Sequence, residues 1–366
     1  MKFQPFDLIP TWSRSKSSQS PIPSSQSTVP ISMRSLSAMF ALGSFLSLAI
    51  ATTTSNSQNA TAAYPIAANL SNVTLRASKF KGGWDLQLKL SGQDKFPYKT
   101  EFTEFTGGNF IVQAINANAI DIGSASEIPP IFAIQSQGAV KIIASIKGPT
   151  VGQVVLIPQN SKAKKFSDLK GKKVGYVKAT TAHYFLIKML AQEGLTLKDV
   201  NAVPLTIPDG LSAFRRGDLD AWATYGYAIQ QAQKDGAKVL KSAKNILSGN
   251  FTIVAAPSAI ADPNKKAAIA DFLCRIQKSQ DWQASNIEVW SKNYAKAIGV
   301  DETFVLKDAK EGLKQRPSKV LPISQQAIAS QQDVADTFYR AGVIPTKVDV
   351  KPLWDGSFTN AINKCK

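Results

Sequence analysis

The sequence predicts an α/β protein of two lobes, and three observations carry that reading. Short apolar runs alternate with amphipathic helical segments over most of residues 72–260. The links between them are rich in Gly, Ser and Thr. The 366 residues are enough for two lobes with full cores. Alternation of this kind implies parallel sheets with helices on both faces. Ligands in such sheets bind outside the carboxyl ends of the strands.

Strands are predicted at 72–80, 98–105, 120–123, 140–145 and 154–157, then at 174–177, 202–206, 219–224 and 251–256. Helices are predicted from Trp84, over 109–118, from Pro129-Pro130 to near Gly138, and over 211–216, with further helices from Asn264 onward. Prolines are tolerated in a first helical turn, which suits Pro129 and Pro130. The segment 172–194 (KKVGYVKATTAHYFLIKMLAQEG) is the most informative. Its apolar run leads through a loop into a helix marked by Phe185, Leu186, Met189 and Leu190, which stops at Gly194. Thr180 is a good N-cap. The free N–H groups of that first turn and the positive end of the helix dipole make the loop a seat for an anion. Similar loops stand at 106–108, 124–127 and 208–210, so four helix N-termini compete to define one pocket.

Hydrophobic content of 44% and charged content of 19% are ordinary for a soluble globular protein, but a formal net charge of +17 is not. The basic residues are scattered, with no stacking motif or recognition helix, which argues against nucleic acid as a partner. No P-loop, metal-ligand cluster or Ser-His-Asp arrangement is evident, and His183 is the only histidine. An enzyme, a cofactor and a metal are therefore not expected.

Residues 1–62 read as a leader. Residues 36–51 form a 16-residue apolar stretch after Met33-Arg34. That is short for a membrane span and suits the apolar region of a secretory signal. Cleavage is expected after Ala62 or Ala63; a transit peptide or an uncleaved anchor is the alternative, and Met33 is an alternative start. Removing 1–62 takes away four basic residues and one acidic residue, leaving +14. No cysteine marks a lipid attachment, so a periplasm is the expected destination. There Cys274 and Cys365 are candidates for a disulfide.

One set of segments carries a resemblance. Thr106-Gly107-Gly108, Gln113 to Ala117, Ile120-Asp121-Ile122-Gly123 and Glu127-Ile128-Pro129-Pro130-Ile131 form its first half. Asp168 to Val174, Thr180-Thr181-Ala182-His183 and Ala213-Phe214 with Gly217 to Trp222 form its second. In order and spacing these resemble the solute-binding proteins of ABC importers for aliphatic sulfonates, taurine and nitrate. The resemblance implies the class II periplasmic-binding-protein fold: two α/β lobes joined by two hinge crossovers, with a ligand cleft between them. The crossovers would fall near Ile157 and Phe251. Lobe one would then be 72–157 plus 252–366, and lobe two 158–251. It also implies a monomer that hands its solute to an ABC permease in the inner membrane. The chain departs from the family pattern at Ser126-Glu127, at Thr224-Tyr225-Gly226-Tyr227 and at Ala179, where a glycine is usual.

The candidate ligand residues follow from both readings. Thr180 and Thr181 offer hydroxyls and N–H groups to a three-oxygen head, and Gly107, Gly108, Ser124 and Ser126 form the opposing wall. Ala182 and His183 contribute first-turn N–H groups; the helix's positive end disfavours a charged His183 ring. Glu127 would pair with a ligand amine, anchor a lobe-closing cation or cap a helix. Lys81 would supply the counter-charge. Trp222 and Tyr225 would line the ligand's carbon part. Asp209 is an N-cap or a ligand. The solute stays open among organosulfonates (aromatic ones and sulfate esters included), taurine, nitrate and a thiamine-pyrimidine precursor. A thiamine-pyrimidine-synthase-like enzyme is the less favoured alternative, because those enzymes use several histidines and a cysteine-rich motif. A sensory binding module is another.

Overall fold

The computed structural model describes residues 70–136 and 138–365; the leader segment lies outside them. The first lobe begins with β1 (Thr74–Lys79), α1 (Trp84–Leu90), β2 (Lys99–Glu104), α2 (Gly108–Asn116), β3 (Ile122–Ser126), α3 (Pro129–Gln135) and β4 (Lys141–Lys147). The second lobe holds β5 (Gln153–Ile157), β6 (Lys173–Tyr176), α4 (Thr181–Ala191), β7 (Asn201–Pro204), α5 (Ile207–Arg215), β8 (Ala221–Tyr225), α6 (Tyr227–Lys234) and β9 (Lys238–Ser242). The chain then returns through β10 (Asn250–Ala255) to α7 (Pro257–Ala261), α8 (Pro263–Ser285), α9 (Ile287–Ile298), α10 (Glu302–Gln315), β11 (Lys319–Leu321), α11 (Gln325–Arg340) and α12 (Thr359–Lys364).

Two sheets result, ordered β11-β4-β10-β3-β1-β2 and β7-β6-β8-β5-β9. They are mixed, not parallel as expected. β1 runs parallel to β2 and β3, and β6 parallel to β7 and β8. β10 is antiparallel to β3 and β4, and β5 antiparallel to β8 and β9. The reason lies in the connection between lobes. β5 and β10 each enter their sheet from the cleft, while the strands beside them run toward it. Sheet membership also moves both crossovers. β5 belongs to the second sheet and β10 to the first, so the chain changes lobes at 148–152 and 243–249 instead of near Ile157 and Phe251.

Burial explains why these runs are strands. β5 is buried at every position, β8 at all but its last, and β4 at all but its ends. Such continuous apolar runs belong to strands covered on both faces. β9 and β11 are edge strands with lysines interrupting their pattern, which hides them from a periodicity reading. The two sheets carry separate cores, one around Leu75, Ile122, Ile253 and Phe272, the other around Val155, Phe185 and Trp222. Tyr184 and Ile187 of α4 join the first core, so α4 also packs on the opposite lobe. Cys274 and Cys365 form a disulfide spanning 91 residues that ties α12 to α8.

Candidate functional site

The strand ends of both lobes meet around a cavity of about 240 Å³. The first lobe lines it with Phe80 after β1, Gly108 at the start of α2, Ser124, Ala125 and Ser126 of β3, Pro129, Ile146 and Phe251. The second contributes Gln153 at the mouth of β5, Thr180 and Thr181 at the start of α4, and Tyr225 at the end of β8.

Each polar group is held from below. The Thr180 hydroxyl donates to the Val177 carbonyl at 2.7 Å and accepts from the Ala182 N–H at 3.2 Å, as an N-cap should. The residue before it, Ala179, has φ 60°, in the left-handed region that favours glycine. Its N–H donates to His183 Nδ1 at 3.4 Å. Gly108 is needed where α2 meets β3, because a Cβ there would lie 3.0 Å from the Ala125 Cβ. The Tyr225 hydroxyl reaches across the cleft, 3.6 Å from where a Cβ of Gly107 would stand. Burial pushes that hydroxyl up to about 12, against a weaker pull from Thr180, so it stays protonated and able to donate. Gln153 Oε1 is buried without a protein partner. No lysine, arginine or histidine lines the cavity. Its means of holding an anion are therefore hydroxyls, amides and the N-termini of α2 and α4.

Seven predicted residues stand at the cavity: Gly108, Ser124, Ser126, Thr180, Thr181 and Tyr225 line it, and Gly107 faces Tyr225 from the N-cap of α2. Ser124 and Ser126 belong to β3 and not to a loop, which fixes their alternation more firmly. Six others stand elsewhere. Lys81 lines the adjoining compartment, its ammonium 5.5 Å from the Tyr227 ring centre. Ala182 is fully buried, its N–H taken by Thr180. Trp222 is fully buried in the second core, against Gly210 and Phe214, and does not form a ligand wall. Asp209 sits in the first turn of α5, where it accepts the Thr206 hydroxyl at 2.6 Å; Thr206 is the N-cap.

Glu127 is buried and turned away from the cavity. It accepts from Ser248 Oγ, from Ser330 Oγ at 3.0 Å and from Asn250 Nδ2 at 3.3 Å, while Gln331 Nε2 donates to its carbonyl at 2.7 Å. Its carboxyl lies above the usual range because burial outweighs these bonds. Ser248 belongs to the returning crossover, so Glu127 ties that connection to β3 and α11.

His183 packs between Tyr176 and Phe338, ring centres 4.8 and 5.2 Å away. Burial, then the Lys178 charge, lowers it to about 4 from 6.5. Between those values the unfolded chain binds the extra proton, so stability falls as pH drops through that window. The loss is roughly 3 kcal/mol below pH 4, and a His183→Gln variant lacks this slope. Proton NMR is expected to place the imidazole midpoint near 4. A midpoint at or above 6.5 contradicts the burial account.

Sequence reasoning missed Phe80, Ala125, Pro129, Ile146, Gln153 and Phe251. Only Gln153 carried a local signal, as the one polar residue of the run QVVLI.

Two mixed α/β lobes, two crossovers and a cleft at the strand ends define the periplasmic-binding-protein fold. The alkanesulfonate-binding protein SsuA from Xanthomonas axonopodis pv. citri, solved bound to MOPS, shares that fold. Its TM-score is 0.72 at 24% identity, over 78% of this chain and 99% of that one. The periplasmic aliphatic sulphonate binding protein SsuA from Escherichia coli superposes with TM-score 0.67 at 28% identity, over 78% of this chain and 94% of that one. In sequence, a protein of Escherichia coli (strain K12) named for binding aliphatic sulfonates is 31% identical over 300 residues, 80% of this chain and 92% of its own length. Residues 101–286 match the NMT1/THI5-like family model. The chain belongs to the NMT1/THI5-like family. Among the described residues no helix is long and apolar enough to cross a membrane.

Proposed function

We propose that this protein is a periplasmic solute-binding protein that captures an organosulfonate and delivers it to an ABC permease, without catalysing a reaction. The observation that carries this reading is the cation-free cavity between the lobes, rimmed by hydroxyls and two helix N-termini. A sulfonate presents three oxygens and stays ionised across the physiological range. Its charge is spread, so several neutral donors suit it better than one point charge. Thr181, Ser124, Ser126 and Tyr225 are the hydroxyls we assign to the head, while the Thr180 hydroxyl, whose proton goes to the Val177 carbonyl, holds the first turn of α4 in place beside them. The relatives named for sulfonate binding, and their periplasmic setting, support the substrate class and the destination.

Capture needs only differential affinity. An anion touching both lobes favours the closed state over the open one. Once closed, the water-poor cavity strengthens each hydrogen bond. The carrier is read as a monomer whose lobe surfaces present the loaded state to the permease.

Titration of the mature protein (residues 63–366) with ethanesulfonate by calorimetry is expected to give saturable one-to-one binding. At a hundredfold excess over Kd the ligand stabilises the fold by about 2.7 kcal/mol, read as a raised Tm. Absence of both heat and thermal shift with every sulfonate tried defeats the proposal.

A further inference from the structure

The anion cavity opens onto a second compartment of about 400 Å³, and the two share Phe80 and Tyr225 as a common threshold. Seven of the 15 lining residues of this compartment are aromatic, against 9% for the whole chain. Trp84, Phe105, Tyr227, Trp290 and Tyr294 join the two threshold rings. They come from both lobes: Trp84 and Phe105 lie on the first, Tyr227 on the second, and Trp290 and Tyr294 on α9. Trp290 and Tyr294 stack with ring centres 5.4 Å apart and planes 17° apart. Lys81 completes the compartment with its ammonium over the Tyr227 face.

A short alkyl tail would leave most of this space unused. A planar ring entering between the threshold rings meets aromatic partners on several sides, in the offset and edge-to-face geometries that favour such pairs. The other neighbouring cavity, about 390 Å³ and reached past Gln153 and Phe251, shares Tyr225, Trp290 and Tyr294 with the aromatic compartment but carries both Asp308 and Arg316, and only four of its 22 lining residues are aromatic, which suits a planar apolar ring less well. Asp308 accepts from Gln230 Nε2 at 2.6 Å.

Resting on the sulfonate reading above, we infer that the preferred ligand is an arylsulfonate, with its head at Thr180–Thr181 and its ring in the aromatic compartment. This differs from the aliphatic substrates for which the relatives are named.

The test compares ethanesulfonate with 2-naphthalenesulfonate by calorimetry on the mature protein, with quenching of tryptophan emission as a second readout. The naphthyl ligand is expected to bind about tenfold or more tightly, on the area scaling of apolar burial. That ratio is expected to fall to about threefold or less in a Tyr294→Ala variant, since one stacked partner is gone. Should that variant not fold, Tyr227→Ala supplies the same measurement from the opposite lobe. Two ligands of equal affinity in the unaltered protein overturn the inference and leave the sulfonate reading standing. A preference that survives in the variants also overturns it. Binding of neither ligand defeats the sulfonate reading itself.

Discussion

A protein carrying both Thr180→Leu and Thr181→Leu is expected to lose sulfonate binding by at least roughly 10-fold to 150-fold, as the Thr181 hydroxyl's bond to a charged group at about 1.5–3 kcal/mol is removed and the Thr180 hydroxyl that holds the turn to Val177 is lost with it. The same change pushes branched carbon into a cavity of about 240 Å³, so bulk and lost donors act together. Thr180 also caps α4, so removing its hydroxyl costs about 1 kcal/mol of stability. Stability and affinity separate cleanly in a Thr180→Ser, Thr181→Ser control, which keeps both hydroxyls and the cap. Calorimetric titration of the two variants, each checked by its melting curve, makes the comparison. Undiminished affinity in the leucine variant would show that the head binds elsewhere.

That site was legible because its cause is local. Thr180 lies two residues before the N–H it accepts, at the junction of a short apolar run and an amphipathic helix. Ala179 stood out only against the family resemblance, which has a glycine there, and the left-handed backbone at that position is the physical reason for the glycine. Glu127 was legible as an oddity but not in its role. Its bonding partners lie 121, 123 and 203 residues away, and no spacing rule reaches that far. Trp222 and Tyr225 shared an expectation and parted because β8 alternates: Trp222 turns into the second core and Tyr225 reaches the cleft at the strand end. The sheets were legible as α/β layers, and the antiparallel entry of β5 and β10 was not. That direction depends on which lobe the chain comes from, a fact of topology and not of composition. The aromatic compartment was illegible for the same reason, since Trp84 and Trp290 meet only after the C-terminal helices fold back.

The fold-back is where the second large effect is expected. After α11 the chain runs as a tail of turns and two 3-10 segments (Lys351–Leu353 and Gly356–Phe358) whose Ile344, Val348, Val350, Leu353 and Phe358 are buried in the first core. Trp354 Nε1 donates to Gln331 Oε1 at 2.7 Å, and Gln331 in turn holds the Glu127 carbonyl. The tail therefore supports the segment that carries the crossover tie. Its end is pinned by Cys274–Cys365, closing 91 residues. A loop of that size removes enough unfolded-chain entropy to stabilise the fold by roughly 4–5 kcal/mol. Replacing both cysteines by serine is expected to lower Tm by roughly 10–15 °C, given a few degrees per kcal/mol for a protein of this size. Neither cysteine lines the anion cavity, so sulfonate affinity well below the new Tm should stay within about threefold, as for sites with no shared partners. Thiol titration of the folded, unaltered protein checks the premise. Two reactive thiols there, or an unchanged Tm in the serine variant, would mean that the tail is held by its buried side chains alone.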